Sequence, residues 1–309
     1  MTDPTNVRVG SRGSPLSLAQ TEEILAPLRA IYPNRHFVVV PVITGGDRRK
    51  DAPLLSLGRG TFAREIEMAL LDGEIDFAIH SAKDLPSDLP DGLTLATFGE
   101  RRDPRDVIVS ASGNTLAEMP AGSRLGTSSP RRTAQISVLR PDIEMVPIRG
   151  NVGTRIYKTK GLDYDGVVLA AAGLLRLGME EKITEYLSPA VCTPDVGQGA
   201  LAVEARSDDL QTLEVLMAID HGPTTTAVTA ERAFLAEIGG GCQVPVAAYA
   251  RFEDGRLHMS AMAGLSDGSH IYRVELDYAP DDPQSAGQQT ARRLLDSGAA
   301  EIVARGAAE

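Results

Sequence analysis

Short β-branched runs alternate with amphipathic stretches of helical period through most of the chain, and the pattern changes to closely spaced strands after the glycines near residue 240. Val7–Gly10 reads as a first strand. It ends at Ser11-Arg12-Gly13-Ser14-Pro15, where a hydroxyl residue before a proline marks a helix start. Leu18, Ile24, Leu25, Leu28 and Ile31 supply the buried face of that helix, and Pro27 reads as a bend within it. A second strand spans Phe37–Ile43. The glycine-bordered stretch from Gly45 to Gly60 has no period and reads as a lid or a disordered segment, with Arg48-Arg49-Lys50 on a solvated face. Thr61 caps a helix to Leu71 with Phe62, Ile66 and Leu70 inward, and Gly73 ends it. The stretch Asp76-Phe-Ala-Ile-His80-Ser-Ala-Lys83-Asp84-Leu-Pro86 follows. It is a buried strand that delivers three polar groups onto a loop, which Pro86, Pro90 and Gly92 keep from becoming a helix.

The same alternation then starts again. Arg101–Asp106 is a polar break before the strand Val107–Ser110, and Ser123–Arg132 leads into a helix carrying Ile136 and Leu139. Ile143–Ile148 reads as a strand ending in the glycine-punctuated turn Arg149–Arg155, and Val167–Leu169 as another that leads to Arg176. The proline- and glycine-rich connector 188–199 has the composition of a hinge. Beyond it come a strand at Ala200–Glu204 and helices at 210–219 and 226–238. The end of the chain holds strands at 244–252, 257–265 and 271–278, joined by Asp254-Gly255 and Asp267-Gly268 turns, and a last helix through Leu294, Leu295 and Ile302. This is an α/β pattern followed by a small antiparallel α+β domain.

Composition narrows the function classes. At 309 residues two or three domains are expected, and 42% hydrophobic with 24% charged residues reads as soluble and globular. A net charge of -11 argues against a general nucleic-acid binder. The two cysteines, Cys192 and Cys242, cannot make a disulfide framework, and no spacing suggests a metal site. The N-terminus lacks the regions of a signal peptide and no apolar run is long enough to span a membrane, so cytoplasm is the plain expectation.

The candidate chemistry is anion binding. In an open α/β sheet ligands collect beyond the carboxyl ends of strands, which is where Arg12, Lys83, Asp84, Arg131, Arg132, Arg149, Arg155 and Arg176 fall. Arg131 and Arg132 occupy the first turn of a helix, where the dipole is positive, so they are unfavourable there unless an anion neutralises them. Cys242 follows three glycines at a helix end, which makes it pliable, although a lone cysteine is more often a buried small hydrophobe.

Six motifs in order carry a family resemblance: Ser11-Arg-Gly-Ser-Pro-Leu16, His80-Ser-Ala-Lys-Asp-Leu-Pro86, Gly126-Thr-Ser-Ser-Pro-Arg-Arg132, Arg149-Gly-Asn151, Gly197-Gln-Gly-Ala200 and Gly240-Gly-Cys-Gln-Val-Pro245. Together they resemble the porphobilinogen deaminase, or hydroxymethylbilane synthase, family from near residue 7 into the C-terminal domain. The resemblance implies three domains: two type II periplasmic-binding-protein-like lobes with an intervening cleft, and a small α+β C-terminal domain. The expected boundaries are 1–99 with 200–219 for lobe 1, 100–199 for lobe 2, and 220–309 for the C-terminal domain.

The implied reaction joins four porphobilinogen molecules head to tail into hydroxymethylbilane with loss of ammonia, on a dipyrromethane cofactor bound by a thioether to Cys242. Asp84 would stabilise the cationic azafulvene left by ammonia loss and help move protons, with Lys83 beside it. Cofactor contacts are expected from Ser81, Lys83, Asp84, Thr127, Ser128, Ser129, Arg131, Arg132, Gly150, Arg155 and Gln198. Substrate contacts are expected from Arg12, Ser14, Phe62, Arg149, Arg155 and Arg176, since arginine forks suit the acetate and propionate groups of each pyrrole. The growing polypyrrole chain is the expected partner, with no metal, nucleic acid or membrane, and the protein is expected to be a monomer. One departure stands out. The family loop before Phe62 often carries lysines, where this chain has Leu55 and Arg59, which puts substrate contact by that loop in doubt. A two-lobed carboxylate or oxyanion binding protein without catalysis is the alternative reading, and a cysteine hydrolase using Cys242 with His80 as base is a weaker one.

Overall fold

A computed structural model of the chain describes residues 6–43, 45, 63–239 and 245–306. In chain order its first elements are β1 (Asn6–Ser11), α1 (Pro15–Ile31), β2 (His36–Pro41), α2 (Arg64–Leu71), β3 (Phe77–Ser81), β4 (Leu93–Phe98), β5 (Asp106–Ser110), β6 (Arg124–Gly126), α3 (Pro130–Leu139), β7 (Glu144–Val146) and α4 (Val152–Lys158). There follow β8 (Gly166–Ala170), α5 (Ala171–Arg176), β9 (Glu185–Tyr186), β10 (Leu201–Arg206), α6 (Leu210–Met217), α7 (Gly222–Glu237), β11 (Val246–Glu253), β12 (Arg256–Gly264), β13 (Ile271–Tyr278), α8 (Pro283–Leu294) and α9 (Ala300–Gly306). The chain divides into two compact units, Met1–Arg102 with Ala200–Thr225 and Asp103–Gly199 with Thr226–Glu309.

The first unit is built on a sheet of order β2-β1-β3-β10-β4, in which β1 pairs in parallel with β2 and β3, and β10 runs antiparallel to β3 and β4. Strand alternation sorts its core. Val7, Val9, Phe77, Ile79, Leu201 and Val203 pack with Leu25 and Leu28 of α1 on one face, while Ala78 packs with Ile66, Ala69 and Leu70 of α2 on the other. At the amino end of β3, Asp76 accepts hydrogen bonds from the Arg8 amide (2.7 Å) and Nη2 (2.6 Å), which ties β3 to β1.

The second unit repeats that topology in the order β7-β6-β8-β5-β9, with β6 parallel to β7 and β8, and β5 antiparallel to β8 and β9. Ile108 and Val168 face one core, and Val107, Val109, Val167 and Leu169 the other. The same unit holds an antiparallel sheet β11-β12-β13 packed on α7 and α8 through Phe234, Ala250, Leu257, Met259, Ala261 and Leu294. The β11–β12 hairpin turns at Asp254-Gly255, both at positive φ, as that dipeptide favours. Two lobe sheets of one topology and a small α+β part are the mixed α/β fold the sequence leads one to expect.

Close helix packing sets one sharp constraint. A Cβ on Gly287 of α8 would lie 2.0 Å from the Ala230 carbonyl oxygen of α7. Gly287→Ala is therefore expected to destabilise by about 1–3 kcal/mol through overpacking, read as a lower Tm in thermal unfolding. An unchanged Tm would mean that the two helices separate freely.

Several expectations need correction. Leu18 and Ile31 are 45% and 48% exposed, because the buried stripe of α1 runs through Gln20, Thr21, Ile24, Leu25 and Leu28 instead. The second strand stops at Pro41, and the strand expected over 143–148 is only Glu144–Val146, where Pro147 has no amide hydrogen to donate. Ala82–Asp84 forms a 3-10 turn rather than open loop. The last helix is broken between α8 and α9, where Gly298 takes φ 114°. Strands β4, β6 and β9 have no counterpart in the sequence reading.

Candidate active site

Because β1 and β3 run parallel with Gly10 opposite Ala78, Ser11–Ser14 and Ser81–Asp84 leave the first sheet at the same end. The Ser14 hydroxyl oxygen caps α1, accepting the Ser17 amide at 3.1 Å, with Arg12 half-buried just before it. After β3 the chain makes its 3-10 turn, whose Ala82 amide donates to the Ala200 carbonyl oxygen at 3.1 Å. Leu201 pairs with Ser81, so the start of β10 supports this turn. Ser81 and Lys83 are half-buried and Asp84 is exposed.

The second sheet has the same arrangement. Parallel β6, β7 and β8 open at their carboxyl ends into Thr127–Arg132, Arg149–Arg155 and α5 with Arg176. The hydroxyls there serve the backbone. Ser128 Oγ donates to the Ile148 carbonyl (2.8 Å) and accepts its amide (3.0 Å), Ser129 Oγ caps α3, and Thr127 Oγ1 accepts the Ser129 amide at 3.2 Å. Gly150 takes φ 117°, open to glycine, and Asn151 caps α4 through the Thr154 amide at 2.8 Å. Arg155 Nε donates to the Gly150 carbonyl at 2.7 Å and Arg176 Nη2 to the Gly199 carbonyl at 2.9 Å. Arg149, Arg155 and Arg176 remain half-buried, with accessible surface.

Arg131 and Arg132 behave differently: they are buried, and their anion is Asp106, the first residue of β5. Arg131 Nη1 donates to Asp106 Oδ2 at 2.7 Å and to the Thr193 carbonyl at 2.6 Å. Arg132 reaches Asp106 Oδ1 through Nε (3.0 Å) and Nη2 (2.7 Å), and the Val168 carbonyl through Nη1 (2.9 Å). Gln198 Nε2 adds a donor to Asp106 Oδ1 at 2.9 Å, and the Cys192 thiol donates to Oδ2 at 3.2 Å. Burial opposes ionisation of Asp106, but the charges of Arg131 and Arg132 and these hydrogen bonds outweigh it and hold the carboxyl well below its usual range. Burial, and then the Asp106 charge, push the Cys192 thiol up to about 12, so it is an inert structural group. The connector is anchored as well: the buried Glu231 of α7 accepts the Gly197 amide through Oε2 and the Ala250 amide through Oε1, both at 2.7 Å.

The structure thus gathers Arg12, Ser14, Ser81, Lys83 and Asp84 at one sheet end, and Thr127–Ser129, Arg131, Arg132, Arg149, Gly150, Arg155, Arg176 and Gln198 at the other. Phe62, Cys242, Leu55 and Arg59 lie outside the described residues. Asp106 and Glu231 went unrecognised in the sequence. Asp106 closes the polar break Arg101–Asp106, and only the demand of the Arg131–Arg132 pair for an anion pointed to such a residue. Among the described residues, no group of His, Cys, Asp or Glu is arranged to hold a metal ion.

Residues 7–214 match the family model "Porphobilinogen deaminase, dipyromethane cofactor binding domain", and residues 225–296 match "Porphobilinogen deaminase, C-terminal domain". The chain is 49% identical over 300 residues to the porphobilinogen deaminase of Desulforudis audaxviator (strain MP104C), covering 97% of each chain. It is 46% identical over 299 residues to that of Syntrophomonas wolfei subsp. wolfei, covering 96% of this chain and 98% of the relative. Among solved structures it is similar to the periplasmic aliphatic sulphonate binding protein SsuA from Escherichia coli, at a TM-score of 0.42 and 13% identity over 76% of this chain and 70% of that one. With both family models matched in order and relatives near half identity along nearly its whole length, the chain belongs to the porphobilinogen deaminase family.

Proposed function

We propose that the chain is a transferase that condenses four porphobilinogen molecules head to tail into hydroxymethylbilane, releasing ammonia, on a dipyrromethane held by a thioether at Cys242. One observation carries this reading. Accessible cations stand at the carboxyl end of each lobe sheet, Arg12 and Lys83 on the first and Arg149, Arg155 and Arg176 on the second, and the first adds the exposed carboxylate of Asp84 next to Lys83 in sequence. The acetate and propionate groups of each pyrrole pair with guanidinium forks two hydrogen bonds at a time. Arg12, Ser14, Phe62, Arg149, Arg155 and Arg176 bind the incoming pyrrole and the growing polypyrrole. A carboxylate set among cations suits a reaction that itself generates positive charge. Loss of ammonia does so, and Asp84 stabilises that charge and moves the pyrrole protons, with Lys83 assisting.

The residues present suit the cofactor. Its carboxylates call for fixed cationic donors, and Arg131 Nε is buried without a hydrogen-bond partner among the described residues. Ser81, Lys83, Asp84, Thr127, Ser128, Ser129, Arg131, Arg132, Gly150, Arg155 and Gln198 would hold it. When bound, dipyrromethane supplies an electron-rich terminal pyrrole as primer. The inert Cys192 leaves Cys242 as the anchor. The same reading makes the protein a cytoplasmic monomer of three domains, 1–99 with 200–219, 100–199 and 220–309. No helix among the described residues is long and apolar enough to cross a membrane.

Intact mass of the denatured protein tests the reading. Wild type is expected to be heavier than its sequence by two pyrrole units, and Cys242→Ser to match its bare sequence. If wild type stays bare even after incubation with porphobilinogen or preformed hydroxymethylbilane, the chain is a carboxylate binder without catalysis.

A further inference from the structure

His80 belongs to the motif that ends in Lys83 and Asp84, yet the proposed chemistry gives it no task. It lies near the end of β3 and is buried. Because β10 runs antiparallel to β3 with Ala202 opposite His80 and Glu204 opposite Ala78, His80, Ala78 and Glu204 share one face of the sheet. That is the face covered by Ile66, Ala69 and Leu70 of α2. There His80 Nε2 lies 2.9 Å from Glu204 Oε2, at ion-pair distance but without the alignment of a hydrogen bond.

Glu204 is completely buried. Neither of its carboxylate oxygens has a hydrogen-bond partner among the described residues, nor has Oε1 of the buried Glu67 on α2. Burial, and then the charge of Glu204, raise the Glu67 carboxyl above its ordinary range while His80 pulls the other way, so the three groups sense one another. Buried polar groups are as a rule hydrogen-bonded, so three facing ionisable side chains with unpaired carboxylate oxygens in one core call for an explanation beyond apolar packing. The consequence lies next door. The turn that presents Asp84 starts two residues after His80, and its Ala82 amide rests on Ala200, at the head of the strand that carries Glu204.

We propose that His80 and Glu204, closed in by Glu67, form an electrostatic clamp between β3 and β10 that positions the Ala82–Asp84 turn, and are thereby positioning residues for the step Asp84 performs. The clamp stands on the geometry alone. Its catalytic consequence rests on the deaminase reading.

The test uses the full chain carrying His80→Asn with Glu204→Gln, which replaces both ionisable groups together and so leaves neither facing the other's neutral substitute. Amide hydrogen exchange at Ala82 and Leu85 is expected to quicken about tenfold or more, while the amides of β1 keep their wild-type rates. For porphobilinogen, kcat is expected to fall by on the order of tenfold to a hundredfold with KM within about twofold, the signature of misplacement rather than of lost binding. Wild-type exchange at Ala82 and Leu85 overturns the clamp. A loosened turn with wild-type kcat overturns its link to catalysis. Absence of turnover in the wild type counts against the deaminase reading, and the exchange measurement still decides the clamp. Should the double variant fail to fold, the shape-conserving Glu204→Gln reports on the same two amides.

Discussion

Asp84→Asn is expected to lower the turnover of porphobilinogen by on the order of 10²–10⁴-fold while leaving the thermal unfolding midpoint unchanged. The two halves of that expectation have separate origins. Asp84 is exposed at the end of a 3-10 turn, and among the described residues its carboxylate has no hydrogen-bond or ion-pair partner, so the amide disturbs nothing in the fold and stability should stay within about 0.5 kcal/mol. The chemistry, by contrast, loses both its negative charge and its proton acceptor. An uncharged amide of the same shape neither stabilises a cationic pyrrole nor takes its proton. Steady-state release of ammonia, beside a melting curve, reads both quantities. Turnover within tenfold of wild type would remove Asp84 from the reaction and return Lys83 and the arginines to a binding role.

Asp106→Asn should do the opposite, acting first on stability. Asp106 is the common anion of two buried guanidiniums, and neutralising it leaves Arg131 and Arg132 enclosed without their counter-charge. Breaking such a buried pair destabilises by about 3–5 kcal/mol, which is a large share of the stability of an ordinary domain. The pH dependence follows from the depressed carboxyl of Asp106. A group whose folded pKa lies below its unfolded value, about 3.9 for aspartate, contributes its stability above that unfolded value and loses it as the pH falls toward the folded one. Urea unfolding at pH 7 should therefore show the full gap between wild type and Asp106→Asn, and the gap should narrow below about pH 4. A gap that stayed constant down to pH 3 would mean that Asp106 is not the ionised partner of the pair. Activity falls too, since Gln198 and both arginines lose the group that orients them.

These two aspartates divide the work between the lobe sheets. In the first, the anion, Asp84, is exposed. In the second, the anion is internal: Asp106 already pairs with the buried Arg131 and Arg132, and the accessible cations are Arg149, Arg155 and Arg176. Their buried setting gives the connector a second role. Thr193, Gln198 and Gly199 each bond one of these arginines or their aspartate, so the stretch that reads as a hinge is also tied into the site.

Local signals in the sequence were enough for whatever depends on near neighbours. Ser14 before Pro15 and Ser129 before Pro130 cap their helices, Asp254-Gly255 turns its hairpin, and Val107–Ser110 and Val167–Leu169 are strands, because caps, turns and β-branched runs act over a few residues. The six ordered motifs, and with them the family, were likewise legible as short strings. Tertiary structure alone decided which groups meet. That Arg131 and Arg132 find their anion in Asp106, and that His80 faces Glu204 from a strand far along the chain, follow from strand order and register. A one-residue slip in either sheet would turn those carboxylates to the opposite face, and no local preference encodes that choice. The sequence by itself named the charged residues and the strand ends that carry them. Burial and pairing then separated those left open to a ligand from those the protein had already neutralised with a charge of its own.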